Sequence, residues 1–294
     1  TLMRRHLTTG IDYVLKQARW HAPSCRRRHD HRMTELPLPR EAYDIWASAP
    51  LRYVLVHGVG GDRTQWRALA EHLAMRSGVL AIDLAGHGAA RHVGGPYRIK
   101  RFATDVAEIA YRLAPDGAVL VGHSMGAAVC LEAARMLGEA ANQVIGIDAL
   151  LFPELFGAHA AGKSPAARVL LRTPLATRTI DSWVERFFVA PYVPAVRNAV
   201  RQTMLNTPWP VLADSVASLL RWQRDEALAA IAVPVSILYA ARVQRPRQVS
   251  ELQRRCSITP FERGGHFFFM EYPAETARSI NAADRAANGP GAMP

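Results

Sequence analysis

A chain of 294 residues fits one large domain or two small ones and can bury a sizeable core. Hydrophobic residues make up 49% of it, a globular share that excludes a disordered chain, and no run reaches the roughly 18 apolar residues of a spanning helix. The net charge of +11 would suit nucleic acid, but residues 1–32 hold six of those charges (Lys16 and seven arginines against Asp12 and Asp30), and no nucleic-acid-binding motif accompanies them.

Residues 1–36 show no sustained apolar period and lack the apolar core and small-residue cleavage site of a secretory signal. They read as a basic, disordered extension, and Met33 would serve as a natural start. Cys25, Cys130 and Cys256 are odd in number and far apart, with no Cys-x-x-Cys pair. That spacing argues against both a disulfide framework and a zinc site, and fits a reducing, cytoplasmic setting.

From residue 43 a regular alternation begins. Strand-like runs stand at YDIWA, RYVLVH, GVLAID, AVLVG, QVIGID, VSILYA and SITPF, and helical patterns such as DRTQWRALAEHLAM, IKRFATDVAEIAYRL and MGAAVCLEAARML fall between them. Short apolar strands alternating with amphipathic helices predict an α/β fold with a mainly parallel sheet. Residues 152–225 break the rhythm with helices interrupted by prolines. This stretch carries Trp183, Phe187, Phe188, Tyr192, Trp209 and Trp222, and an insertion of that size at one strand end reads as a lid over a pocket. The tail ANGPGAMP is small and flexible in composition.

Four stretches carry chemistry, taken in chain order. VLVHGVGGDRTQW ends a strand in His57-Gly58 and opens a glycine-rich loop; the Val59 N–H there can face a developing oxyanion together with the Met125 N–H. His57 in that position braces the loop. AIDLAGHG ends a strand with Asp83 and turns, and Asp83 and His87 are expected to tie that turn to neighbouring loops. VLVGHSMGAAV runs an apolar strand through Gly122-His123-Ser124-Met125-Gly126 into a helix. Such a strained turn lifts the serine oxygen above the sheet edge and points the helix N-terminus toward it, which marks Ser124 as a nucleophile. FERGGHFFFMEYP places His266 on a glycine loop after the last strand, where it can swing over the strand ends to act as general base.

HGVGG, DLAGHG, GHSMG and GGHFFFMEYP, in that order and spacing, resemble the α/β-hydrolase superfamily over roughly residues 43–285. The resemblance implies a core sheet of eight strands, a helical cap after the sixth and a Ser–His–acid triad at the strand carboxyl ends. Serine at the nucleophile position argues against the aspartate-dependent dehalogenase and epoxide-hydrolase branches. It divides the chain into a core of residues 37–151 and 226–287, a cap of 152–225 and a tail of 288–294.

One part of the pattern is missing. The family's acid usually follows the seventh strand, yet here the segment reads YAARVQRP, with Arg242 or Val243 at that position and no carboxylate between Glu226 and Glu251. Glu251 lies too far along, and Glu262 is only four residues before His266. Some relatives place the acid at the end of the sixth strand, and that resemblance assigns the role to Asp148.

The reading is a serine hydrolase acting on a small apolar carboxylic ester, thioester or lactone, with catalytic Ser124, His266 and Asp148 and an oxyanion hole at Val59 and Met125. Its partner is a small-molecule substrate, and the chemistry calls for no metal or organic cofactor. The alternatives are a carbon–carbon hydrolase or non-hydrolytic enzyme on the same fold, or a degenerate binding protein, which the arginine-bearing YAARVQRP would favour.

Overall fold

The computed structural model describes residues 36–46, 49–149, 175–242 and 253–288. The basic N-terminal stretch, the first part of the expected cap, Val243, Glu251 and the C-terminal tail lie outside the described residues.

Seven strands among those residues form one sheet: β1 (Tyr43–Trp46), β2 (Leu51–Val56), β3 (Gly78–Ile82), β4 (Ala118–His123), β5 (Ala141–Ile147), β6 (Val235–Ala240) and β7 (Ser257–Phe261). Their spatial order is β1-β3-β2-β4-β5-β6-β7. Only β1, antiparallel to β3, departs from parallel pairing. The sheet is thus mainly parallel, as expected; the eighth strand is not among the described residues. β5 and β6 are the strands counted sixth and seventh in the family's scheme.

Central parallel strands are covered on both faces, which is why β3, and β4 up to its terminal His123, are without polar side chains and are buried at every position. Their side chains alternate between two cores. Val54, Val56 and Leu120 meet Phe102, Val106 and Val129 on one face. Tyr53, Leu55 and Val121 meet Leu69, Leu73 and Ile280 on the other. The first set of helices is α2 (Ile99–Leu113) and α3 (Met125–Leu137); the second is α1 (Arg67–Leu73) and α9 (Pro273–Asn288). Along α2 the buried residues Ile99, Phe102, Ala103, Val106, Ala110 and Leu113 make the stripe that a 3.6-residue period aims at a sheet.

Between β5 and β6 stand α4 (Leu175–Phe187), α5 (Pro194–Asn206), α6 (Trp209–Leu220) and α7 (Arg224–Ala229). They share a core with the sheet's site-bearing end: Ile180, Val184, Val200, Met204, Leu212 and Val216 are buried with Phe267 and Phe269 of the loop and short helix α8 (Phe268–Glu271) that follow β7. Arg201 ties α5 to Asp181 of α4 at 2.6 Å. Hydrogen bonds then fasten the segment to the body: Ile99 N–H to Ser218 Oγ at 3.1 Å, Trp222 Nε1–H to Glu132 at 3.0 Å, and Val193 N–H to Glu271 at 2.9 Å.

Candidate active site

Ser124 sits at the turn from β4 into α3 with φ 54° and ψ −119°, a left-handed conformation that costs a non-glycine residue energy and is held by its surroundings. Its N–H donates to Ile147 O at 3.0 Å, pinning the turn to the next strand. The flanking glycines are required by close approach. A Cβ on Gly122 would lie 2.3 Å from Gly126 O, and one on Gly126 would lie 2.2 Å from Val56 O. The helix therefore starts hard against the sheet, with Met125 as its first residue; the N–H there has no intrahelical acceptor.

Gly58 brings the loop after β2 to the same place, since a Cβ there would lie 3.0 Å from Ser124 Cβ. Val59, the next residue, lines one cavity with Ser124.

His266 stands on the loop after β7, and Asp148 just past β5. His266 Nδ1 lies 2.5 Å from Asp148 Oδ2, both side chains almost wholly buried. Asp148 adopts a positive φ of 38°, which turns its side chain back across the sheet edge. Its Oδ1 accepts the Ala240 N–H at 2.8 Å, while its own N–H donates to Leu238 O at 2.7 Å. The end of β6, where a carboxylate is missing, therefore grips the carboxylate from β5 through its backbone. Arg242, beyond that strand, donates to Ala190 O at 2.8 Å and so faces the α4–α5 connection.

Ser124, His266 and Asp148 thus converge at the carboxyl ends of β4, β5 and β7, from positions far apart in the chain. The model of the alpha/beta hydrolase family matches residues 53–279, most of the chain and all of this constellation. The chain belongs to the alpha/beta hydrolase family. A protein of Mycobacterium tuberculosis whose function is uncharacterised is 24% identical to it over 268 residues, 84% of this chain and 77% of that one. An sn-1-specific diacylglycerol lipase of Xenopus tropicalis is 25% identical over 178 residues, 55% of each chain. Among solved structures, an enol-lactonase from Burkholderia xenovorans aligns with a TM-score of 0.69 at 21% identity, over 82% of this chain and 95% of its own. An esterase from Thermogutta terrifontis aligns with a TM-score of 0.69 at 23% identity, over 84% and 93%.

His57 and His87 of this hydrolase have bracing geometry. His57 Nε2 accepts the Leu84 N–H at 3.0 Å, and its Nδ1 lies 2.8 Å from Gly58 O, to which it donates. His87 Nδ1 donates to Ala85 O at 3.2 Å, and its Nε2 accepts the Gly60 N–H at 3.4 Å. Burial holds both rings in the neutral form, His57 below the usual range despite Asp83, and His87 down at about 3. Asp83 accepts from Arg63 N–H, the Arg63 guanidinium and Ala89 N–H. All three residues join the β2 and β3 loops, as the sequence suggests.

Two supports of His266 were not legible. The His123 ring donates through Nε2 to His266 O at 3.0 Å, and burial together with the neighbouring His266 keeps its pKa well below the ordinary value. Phe187 O accepts the His266 N–H at 2.7 Å, and a Cβ on Gly265 would lie 2.2 Å from that oxygen. The end of α4 thus clamps the histidine loop. Ser124 and His266 line one cavity with Gly58, Val59, Gln65, His123, Trp183, Phe187, Met204 and Phe267. A larger open groove of about 930 Å³ between α2, α3, α6 and α7 includes none of these residues.

Proposed function

We propose that this enzyme is a serine hydrolase that cleaves a small, largely apolar carboxylic ester, thioester or lactone through an acyl-enzyme. The observation that carries the reading is the buried contact of Asp148 with His266, which lines the same cavity as the strained Ser124. In this mechanism His266 Nε2 takes the proton of Ser124 Oγ as the oxygen attacks the acyl carbon. Asp148 holds the Nδ1–H tautomer and stabilises the imidazolium that forms. The Val59 and Met125 N–H groups receive the negative charge on the carbonyl oxygen. His266 then gives its proton to the leaving alcohol or thiol, and water deprotonated by His266 releases the acid.

An acid partner for the histidine counts against the degenerate binding protein. Trp183, Phe187, Met204 and Phe267 on the cavity wall support an apolar acyl or alcohol group. Esterase and enol-lactonase, the names of the structural neighbours, are in keeping with that class. We assign the cap role to residues 152–225. Trp183, Phe187 and Met204 of α4 and α5 line the cavity beside Ser124, which supports a cap role for the described part of the insertion. Cys130 and Cys256 are free, buried thiols, which supports the cytoplasm as the compartment. Among the described residues no helix is long and apolar enough to cross a membrane.

The test is hydrolysis of a series of 4-nitrophenyl esters with two- to eight-carbon acyl chains. The expected result is turnover that Ser124→Ala and His266→Ala each reduce by at least a thousandfold in kcat. Folded wild-type protein that cleaves no member, or Ser124→Ala that cleaves them unimpaired, would defeat the proposal.

A further inference from the structure

Gln65 is a polar residue of the cavity that the mechanism leaves unused. It lies on the one-turn helix Arg63–Trp66 and is only 5% exposed, yet neither Nε2 nor Oε1 of its amide has a hydrogen-bond partner. It lines the same cavity as Ser124 and His266. Buried amides are almost always paired, and an orphan at a reaction centre points to a partner that arrives with the substrate.

The surrounding structure holds this side chain in place. Asp62 caps the turn by accepting the Thr64 N–H at 2.9 Å. Arg63, the residue before Thr64, is fixed to Asp83. Trp66, the residue after Gln65, is fully buried against Phe269 at a ring distance of 4.5 Å. Gly61 clears the space for the amide, since a Cβ there would lie 2.6 Å from Gln65 Oε1. Such a preorganised group binds with little ordering cost.

Resting on the serine-hydrolase reading above, we propose that Gln65 is a substrate-binding residue that selects acyl compounds carrying a neutral hydroxyl or secondary amide beside the scissile carbonyl. The primary amide offers a donor and an acceptor side by side, so it matches a group that is itself both. His123, which lines the same cavity, carries a second acceptor. His123 spends its Nε2–H on His266 O, so its Nδ1 is a lone pair, and that atom is also without a partner. No lysine or arginine is among the described lining residues, which disfavours a free carboxylate on the substrate. The remaining side chains are apolar and take the rest of the acyl group.

The test compares 4-nitrophenyl esters of butanoic, 2-hydroxybutanoic and 2-acetamidobutanoic acid on the full chain, each kcat/KM divided by the ester's spontaneous hydrolysis rate. Wild type should favour the 2-hydroxy or 2-acetamido ester by tenfold or more. Gln65→Met, close in size and without hydrogen-bonding groups, should bring that ratio near one, with a melting temperature equal to or above wild type. A wild-type ratio near one, a ratio kept by Gln65→Met, or a Gln65→Met protein that melts lower and loses all three activities alike would overturn the assignment. Labelling of Ser124 by a fluorophosphonate separates the two levels. A labelled wild type with no such preference defeats only the role of Gln65, whereas an unlabelled, inactive wild type defeats the hydrolase reading beneath it.

Discussion

Asp148→Asn probes the least expected member of the site. Asparagine is nearly isosteric, and its Oδ1 can still accept the Ala240 N–H that the aspartate accepts at 2.8 Å. In that orientation Nδ2 points at His266 Nδ1, now 2.5 Å from the carboxylate, and two N–H donors face each other. The imidazole relieves the conflict by moving its proton to Nε2, where it can no longer take the serine proton. The reverse orientation sets the amide donor against the Ala240 N–H and is also disfavoured. In serine proteases the same exchange lowers kcat by about 10⁴, equivalent to about 5.4 kcal/mol at 1.36 kcal/mol per decade. Steady-state hydrolysis of 4-nitrophenyl butanoate should show kcat down by roughly 10³ to 10⁴ with KM within a few-fold, because Asp148 does not touch the substrate. Thermal unfolding checks that the variant remains folded. A folded Asp148→Asn enzyme retaining more than a tenth of wild-type kcat would refute this reasoning.

Two further outcomes follow from the packing and the buried histidines. Gly265→Ala forces a Cβ to within 2.2 Å of Phe187 O; repacking there should cost about 1–3 kcal/mol of stability and lower kcat more than tenfold by displacing His266, as urea unfolding and ester kinetics would register. The neutral His87, with a folded pKa of about 3 against about 6.5 when unfolded, makes the unfolded chain the better proton acceptor between those values. Its contribution is complete above pH 6.5 and is lost as pH falls through the window, by about 2 kcal/mol at pH 5. His57 and His123, also lowered by burial, act in the same direction. A urea midpoint unchanged between pH 7 and pH 5 would contradict this.

Much of this architecture is visible in the sequence because the signals are local. The seven strand-like runs are the seven strands among the described residues, and the central ones read most plainly, since a parallel strand covered on both faces is apolar along its length. Gly122 and Gly126 bracket Ser124 in a five-residue motif, although the oxygen that Gly126 must clear, Val56 O, lies on β2. The histidine's acid is different. The sequence shows a gap after β6 and a candidate after β5, but the approach of Asp148 to His266 across 118 positions depends on a positive φ and on the Ala240 N–H. Neither has a residue-type signature. The clamp on His266 by Phe187 uses a backbone oxygen, so no side chain announces it. Gln65, beside charged and polar neighbours, carries no local signal of its burial, and Met204 and Trp183 of the distant helical insertion line its cavity. Interactions made through the backbone, or created by a distant covering element, are the ones a linear reading misses.

The central claim is covalent catalysis by Ser124 with His266 and Asp148 behind it. The most direct measurement is incubation of the folded protein with a fluorophosphonate, followed by mass mapping of the adduct. One stoichiometric phosphonyl adduct is expected on the peptide containing Ser124, abolished by Ser124→Ala and slowed at least a hundredfold by His266→Ala and Asp148→Asn. An adduct on another residue, or labelling of Ser124 at the wild-type rate in Asp148→Asn, would contradict it.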